Sequence, residues 1–136
     1  MIRLTTAATV VLSGLGFAGV ASADPPPGEG DQPSCTYSLS PPSVVQVSGN
    51  PMVTATLAFP SCTGRILPNE RTVCVSAQGS DSAGKCAQSR GSVTAQVFYA
   101  PYRPGTVYTS TGSGCATLTG PGNSVCTSLG PQTASL

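Results

Sequence analysis

The chain has 136 residues, 39% hydrophobic and only 8% charged, about a third of the ~25% charged usage common in soluble domains. It contains no histidine, which excludes a Ser–His–Asp triad, a Cys–His dyad, a zinc-bound water on imidazoles and any imidazole acid or base. Six basic residues stand against five acids, and the length fits one domain.

Residues 1–23 read as an export signal. Arg3 supplies a short positive start, and the apolar run from Leu4 to Val20 is broken by Gly14, Gly16 and Gly19. Ala21-Ser22-Ala23 then offers the small-x-small site that signal peptidase needs. The run is too short and too diluted for a membrane span, which wants ~20 clearly apolar residues. The sequence therefore predicts a secreted protein, extracellular or in the cell envelope, with no membrane insertion after cleavage. Cleavage removes Arg3 and leaves Arg65, Arg71, Lys85, Arg90 and Arg103 against Asp24, Glu29, Asp31, Glu70 and Asp81. Five against five is neutral. Without a cluster of Lys and Arg, no nucleic-acid partner is expected.

Residues 24–34 (DPPPGEGDQPS) hold no apolar side chain beyond proline and cannot offset their ordering entropy, so a disordered tail is expected. The folded unit is expected over 35–136. Its dominant period is two. Val53, Ala55, Leu57 and Phe59 alternate with Thr54 and Thr56. Val73, Val75 and Ala77 alternate with Thr72, Cys74 and Ser76, and Val93, Ala95, Val97 and Tyr99 with Thr94 and Gln96. Alternation of this kind marks half-buried strands with one wet face. Shorter strands are expected at 37–39, 43–47, 106–111, 116–118 and 125–129. Turn chemistry separates them at Gly49-Asn50-Pro51, Gly79 to Gly84, Arg103-Pro104-Gly105 and Gly120 to Asn123. No stretch has a helical period, so the expected fold is all-β, a two-sheet sandwich of about seven strands.

Six cysteines in an exported chain of this size argue for three disulfides, although six sulfurs allow fifteen connectivities. Residues paired across a hairpin are centred on its turn. Cys35 and Cys62 are centred beside Gly49-Asn50, Cys74 and Cys86 inside Gly79–Gly84, and Cys115 and Cys126 inside Gly120–Asn123. Cys74 and Cys126 also oppose their apolar neighbours in parity, so both face solvent where a bridge can clip a hairpin. The predicted bridges are 35–62, 74–86 and 115–126. No two cysteines have the C-x-x-C spacing of metal or redox sites, and no cofactor is expected.

Pro42-Ser43-Val44-Val45-Gln46-Val47, a turn, and Val53-Thr54-Ala55-Thr56-Leu57 resemble the first two strands of an immunoglobulin-like domain. Tyr102-Arg103-Pro104-Gly105-Thr106-Val107-Tyr108 is similar to the Pro-Gly-x-x-Tyr approach to a late strand of such domains. There is no tryptophan and no inward-facing cysteine pair to link two sheets, which departs from the antibody pattern. The Cys74–Cys86 and Cys115–Cys126 clips are similar in kind to those of the neocarzinostatin-type apoproteins of actinobacteria. The resemblance implies a small exported immunoglobulin-like sandwich with an apolar ligand in a cleft. The Cys35–Cys62 bridge has no counterpart there. The signal ending Ala-Ser-Ala-Asp-Pro looks like those of mycobacterial exported proteins.

Candidate chemistry is sparse. The expected folded unit holds two carboxylates, Glu70 and Asp81, both read as turn formers and solvated charges, whereas a glycosidase needs a pair ~5–9.5 Å apart. Lys85, in a Gly/Ser loop, would stay charged and wet, not activated by burial. The expected contact patch is Phe98, Tyr99, Tyr102 and Arg103, a mixture common at binding hot spots. Three functions follow: a monomeric non-catalytic interaction domain with a protein partner, a carrier of a small apolar ligand, and a protease inhibitor. The inhibitor would present a braced loop at Ala77–Gly84 or Gly64–Asn69.

Overall fold

The structure, a computed structural model, describes residues 32–120 and 122–136. The expected signal at 1–23 and most of the expected tail lie outside the described residues. Among the described residues nine strands run in chain order: β1 (Ser34–Thr36), β2 (Ser43–Val47), β3 (Asn50–Leu57), β4 (Ser61–Thr63), β5 (Ile66–Ala77), β6 (Lys85–Arg90), β7 (Ala95–Tyr99), β8 (Val107–Leu118) and β9 (Ser124–Ser135). β1 opens at Ser34, one residue before the expected start of the folded unit.

The protein is an all-β sandwich. One sheet has the order β2-β3-β7 and the other β6-β5-β8-β9, while β1 and β4 form a separate two-stranded ribbon. Every named pair is antiparallel. Three strands against four is the partition of an immunoglobulin-like sandwich. A second mark of that fold is the corner before β8, where Tyr108 Oη accepts the Arg103 N–H at 2.8 Å. A tyrosine hydroxyl bonded back to the preceding backbone is the tyrosine corner of such sandwiches.

The alternation in the sequence explains the core. Val53, Ala55 and Leu57 of β3 and Ala95, Val97 and Tyr99 of β7 face Val73 and Val75 of β5 and Tyr108 of β8 across the sheets. Fully burying a valine or leucine contributes ~1.5–3 kcal/mol, so this small set carries most of the apolar stabilisation. Tyr37 and Leu39 join the core from the segment between β1 and β2, with Leu39 bridged to Leu57. Tyr37 lies where a side chain at Gly114 would otherwise stand, since a Cβ there would run into its ring.

All three bridges form as the turn centres predict: Cys35–Cys62 across β1–β4, Cys74–Cys86 across β5–β6 and Cys115–Cys126 across β8–β9. Each joins residues directly opposite in register, with Cα atoms 4.0–4.1 Å apart. None crosses between the two main sheets. Three such bridges suit an oxidising, extracellular type of environment.

Several boundaries differ from expectation. β3 stops at Leu57 and β7 starts at Ala95, so Phe59 and Val93 leave the core face and are 48% and 65% exposed. The turn between β2 and β3 is Ser48-Gly49, both with positive φ, one residue earlier than expected. Two short strands at 106–111 and 116–118 are one continuous β8, because β5 and β9 pair with it along its length. β6 (KCAQSR) has no apolar alternation and was not expected; pairing to β5 and the Cys74–Cys86 bridge hold it.

Candidate functional site

β5 and β6 are joined by a loop whose base is clipped by Cys74–Cys86. The loop turns back tightly: Gln78 N–H donates to Val107 O at 2.9 Å and Ser80 N–H to Ala77 O at 3.3 Å. Gly84 has φ +87°, and a Cβ there would meet Val75 O at 2.6 Å, so only glycine lets the loop rejoin β6 this close to β5. The β7–β8 connection faces it, fixed by the Tyr108–Arg103 bond and by the Tyr102 ring 6.4 Å from that of Tyr108.

Between the two loops lies a cleft of about 430 Å³. Gln78, Ser80, Ser82 and Lys85 come from the first loop and the start of β6, and Arg103 and Thr106 from the second. Tyr99 and Tyr108 stand at the base. Their rings meet edge to face at 5.9 Å. Tyr99 is a core residue with its hydroxyl at the cleft. Its oxygen lies 3.5 Å from Ser80 Oγ and 3.4 Å from Ser82 Oγ. These hydroxyl contacts, with a smaller contribution from the charge of Arg103, hold the phenol below the ordinary tyrosine value.

The expected patch is thus divided. Tyr99 and Arg103 line the cleft, and Tyr102 packs half-buried behind its wall. Phe98 does not line the cleft. Val97 and Tyr99 point inward, so Phe98 falls on the outer face of the three-stranded sheet, opposite Thr54 of β3. Of the two proposed braced loops, Ala77–Gly84 is a loop, but Gly64–Asn69 is not, because Ile66 to Asn69 open β5. Glu70 is likewise a strand residue, 3.4 Å from Arg90 of β6. Asp81 is in the β5–β6 loop at the other end of β5, so the two carboxylates cannot act together.

Arg71, at the opposite end of the sandwich from the cleft, is a buried residue that was not expected from its charge. Its side chain is wholly buried. Nε donates to Val93 O at 3.2 Å and Nη2 to Gly91 O and Val93 O at 2.5 and 2.6 Å, tying the β6–β7 turn to β5. The guanidinium carbon is 5.2 Å from the centre of the Phe59 ring. Nη1 and the nearby Tyr37 hydroxyl are buried without a partner among the described residues. Burial raises the Tyr37 phenol above its ordinary value, which the charge of Arg71 only partly offsets. The signal for Arg71 was its parity: it shares a face with Val73 and Val75.

The fold and its loop-end cleft define a disulfide-stapled immunoglobulin-like sandwich. No protein family, curated protein or solved structure matches the chain.

Proposed function

We propose that the protein is a non-catalytic, exported interaction domain that acts at or outside the cell envelope and engages a partner protein through the cleft end. The observation that carries this reading is the convergence of two fixed loops, one braced by Cys74–Cys86, on a cleft bearing Lys85, Arg103 and the Tyr99 hydroxyl. Binding surfaces favour exposed loops held by a rigid scaffold. The resemblance to small exported immunoglobulin-like proteins and the three bridges support an extracellular setting. The cleft lining is mixed, and the charges of Lys85 and Arg103 with the Tyr99 hydroxyl favour a contact that has a polar group over the wholly apolar ligand of a carrier.

A photo-reactive amino acid at Arg103, in protein exported by its own host, is expected to cross-link to one discrete envelope or extracellular protein. The same probe at Leu67, on the far part of β5, is expected to give none. Cross-linking from position 67 alone would overturn the assignment of the surface. The braced Ala77–Gly84 loop also favours a second reading, protease inhibition, and micromolar protein in a subtilisin-type assay tests it directly.

A further inference from the structure

Resting on the cleft end as the contact surface, we infer that the cleft receives a single carboxylate carried on an extended acidic segment of the partner. The argument begins with charge. Among the described residues the ion pair is Arg90–Glu70, away from the cleft. Lys85 and Arg103, both exposed and on facing walls, have no acid within bonding range among the described residues. Asp81 lies in the β5–β6 loop but does not line the cleft. Counting it, the loop end carries two cations and one anion. One carboxylate neutralises that surplus, whereas a phosphate dianion would exceed it.

The donors fit the same ligand. The Arg103 guanidinium can present two parallel N–H groups to the two oxygens of a carboxylate, and Lys85 adds a point charge from the other wall. Gln78, Ser80, Ser82 and Thr106 supply neutral donors for the remaining lone pairs.

Backbone placement favours a chain over a free small acid. β6 and β7 are edge strands of their sheets, and both reach the cleft, Lys85 opening β6 and Tyr99 closing β7. An edge strand carries unpaired N–H and C=O groups, which an extended segment can meet as its acidic side chain enters. A volume of about 430 Å³ is near the small end of ligand sites at ~300–1,000 Å³, which suits part of a peptide.

The test uses the 15N-labelled exported protein at low salt, titrated with acetyl-Gln-Glu-Gln-Gln-amide (the glutamate peptide, with one carboxylate), its tetraglutamine counterpart and inorganic phosphate. The expected result is saturable amide shifts confined to 77–85 and 100–108 with the glutamate peptide. Tetraglutamine should leave the spectrum unmoved and phosphate should bind at least tenfold more weakly. Lys85→Gln together with Arg103→Gln should weaken the glutamate peptide at least tenfold, with shifts of core amides unchanged because both side chains are exposed. No saturable shift, an equal response to tetraglutamine, phosphate binding as tight as the peptide, or shifts centred on Arg65 and Arg90 would each overturn the inference. If the cross-link from position 103 persists while the glutamate peptide fails, the carboxylate falls and the interaction surface stands. If the cross-link also fails, both fall.

Discussion

Arg71 carries a positive charge into the interior beside two carbonyls and an aromatic ring, with no acid in bonding range among the described residues. Two opposing terms decide its value. A hydrogen bond to a charged group contributes about 1.5–3 kcal/mol, while taking a cation out of water costs several kcal/mol. With Nη1 unpartnered among the described residues, the two nearly cancel, so most of what Arg71 contributes is volume in the end of the core. Arg71→Met, which keeps the length and drops the charge, is expected to change unfolding stability by less than about 1 kcal/mol. Arg71→Ala leaves a cavity and loses the stem contacts, and is expected to cost about 2–4 kcal/mol. Urea unfolding of the two variants checks this, and equal losses would assign the stability to the guanidinium bonds. The position was legible, because Arg71, Val73 and Val75 share one parity of β5. What accepts its charge was not, since Gly91 and Val93 lie in a turn that only the tertiary fold brings there.

Strands with clean alternation were legible to within a residue or two at β3 and β7, because burying one face dictates a period of two. Of β5 only the half from Thr72 to Ala77 was legible, and its opening at Ile66 lies within the expected loop Gly64–Asn69. The bridges were legible for a related reason: a hairpin pairs residues symmetrically about its turn, and turn residues announce themselves. β6 escaped because an edge strand held from one side needs no apolar face, only a ladder and a clip. The cleft escaped in part, since the sequence grouped Tyr99 and Arg103 with Phe98 but could not show that the β5–β6 loop stands opposite them. The same edge position gives β6 a measurable weakness. Cys74→Ala with Cys86→Ala removes a closure of 12 residues, a loss of about 2–3 kcal/mol in the chain-entropy account. β5 keeps its ladder to β8, so hydrogen exchange should quicken in β6 and the β5–β6 loop and much less in β5. Equal acceleration in both strands would contradict this division.

At the scale of the whole molecule, the small core and the near absence of buried acids make alkaline pH, not acid, the informative axis. All six cysteines are bridged, so no free thiol is available to start disulfide exchange as pH rises. Two tyrosines then act with opposite sign. Tyr99 releases its proton more readily folded than unfolded, so the unfolded chain holds more protons just below pH 10 and stability rises slightly there. Tyr37 is the reverse. Its buried phenol keeps its proton in the fold above the ordinary value of 10.0, while the unfolded chain ionises there. Its contribution is therefore complete below pH 10 and is lost as pH climbs from about 10 through the raised folded value. Equilibrium unfolding from pH 8 to 11 should show a shallow rise followed by a fall. Tyr99→Phe should remove the rise. Tyr37→Phe should flatten the fall, and because the hydroxyl it deletes is buried without a partner among the described residues, it should cost little or nothing at pH 7. A steep alkaline fall that survives Tyr37→Phe would place the alkaline weakness of the sandwich in some other group.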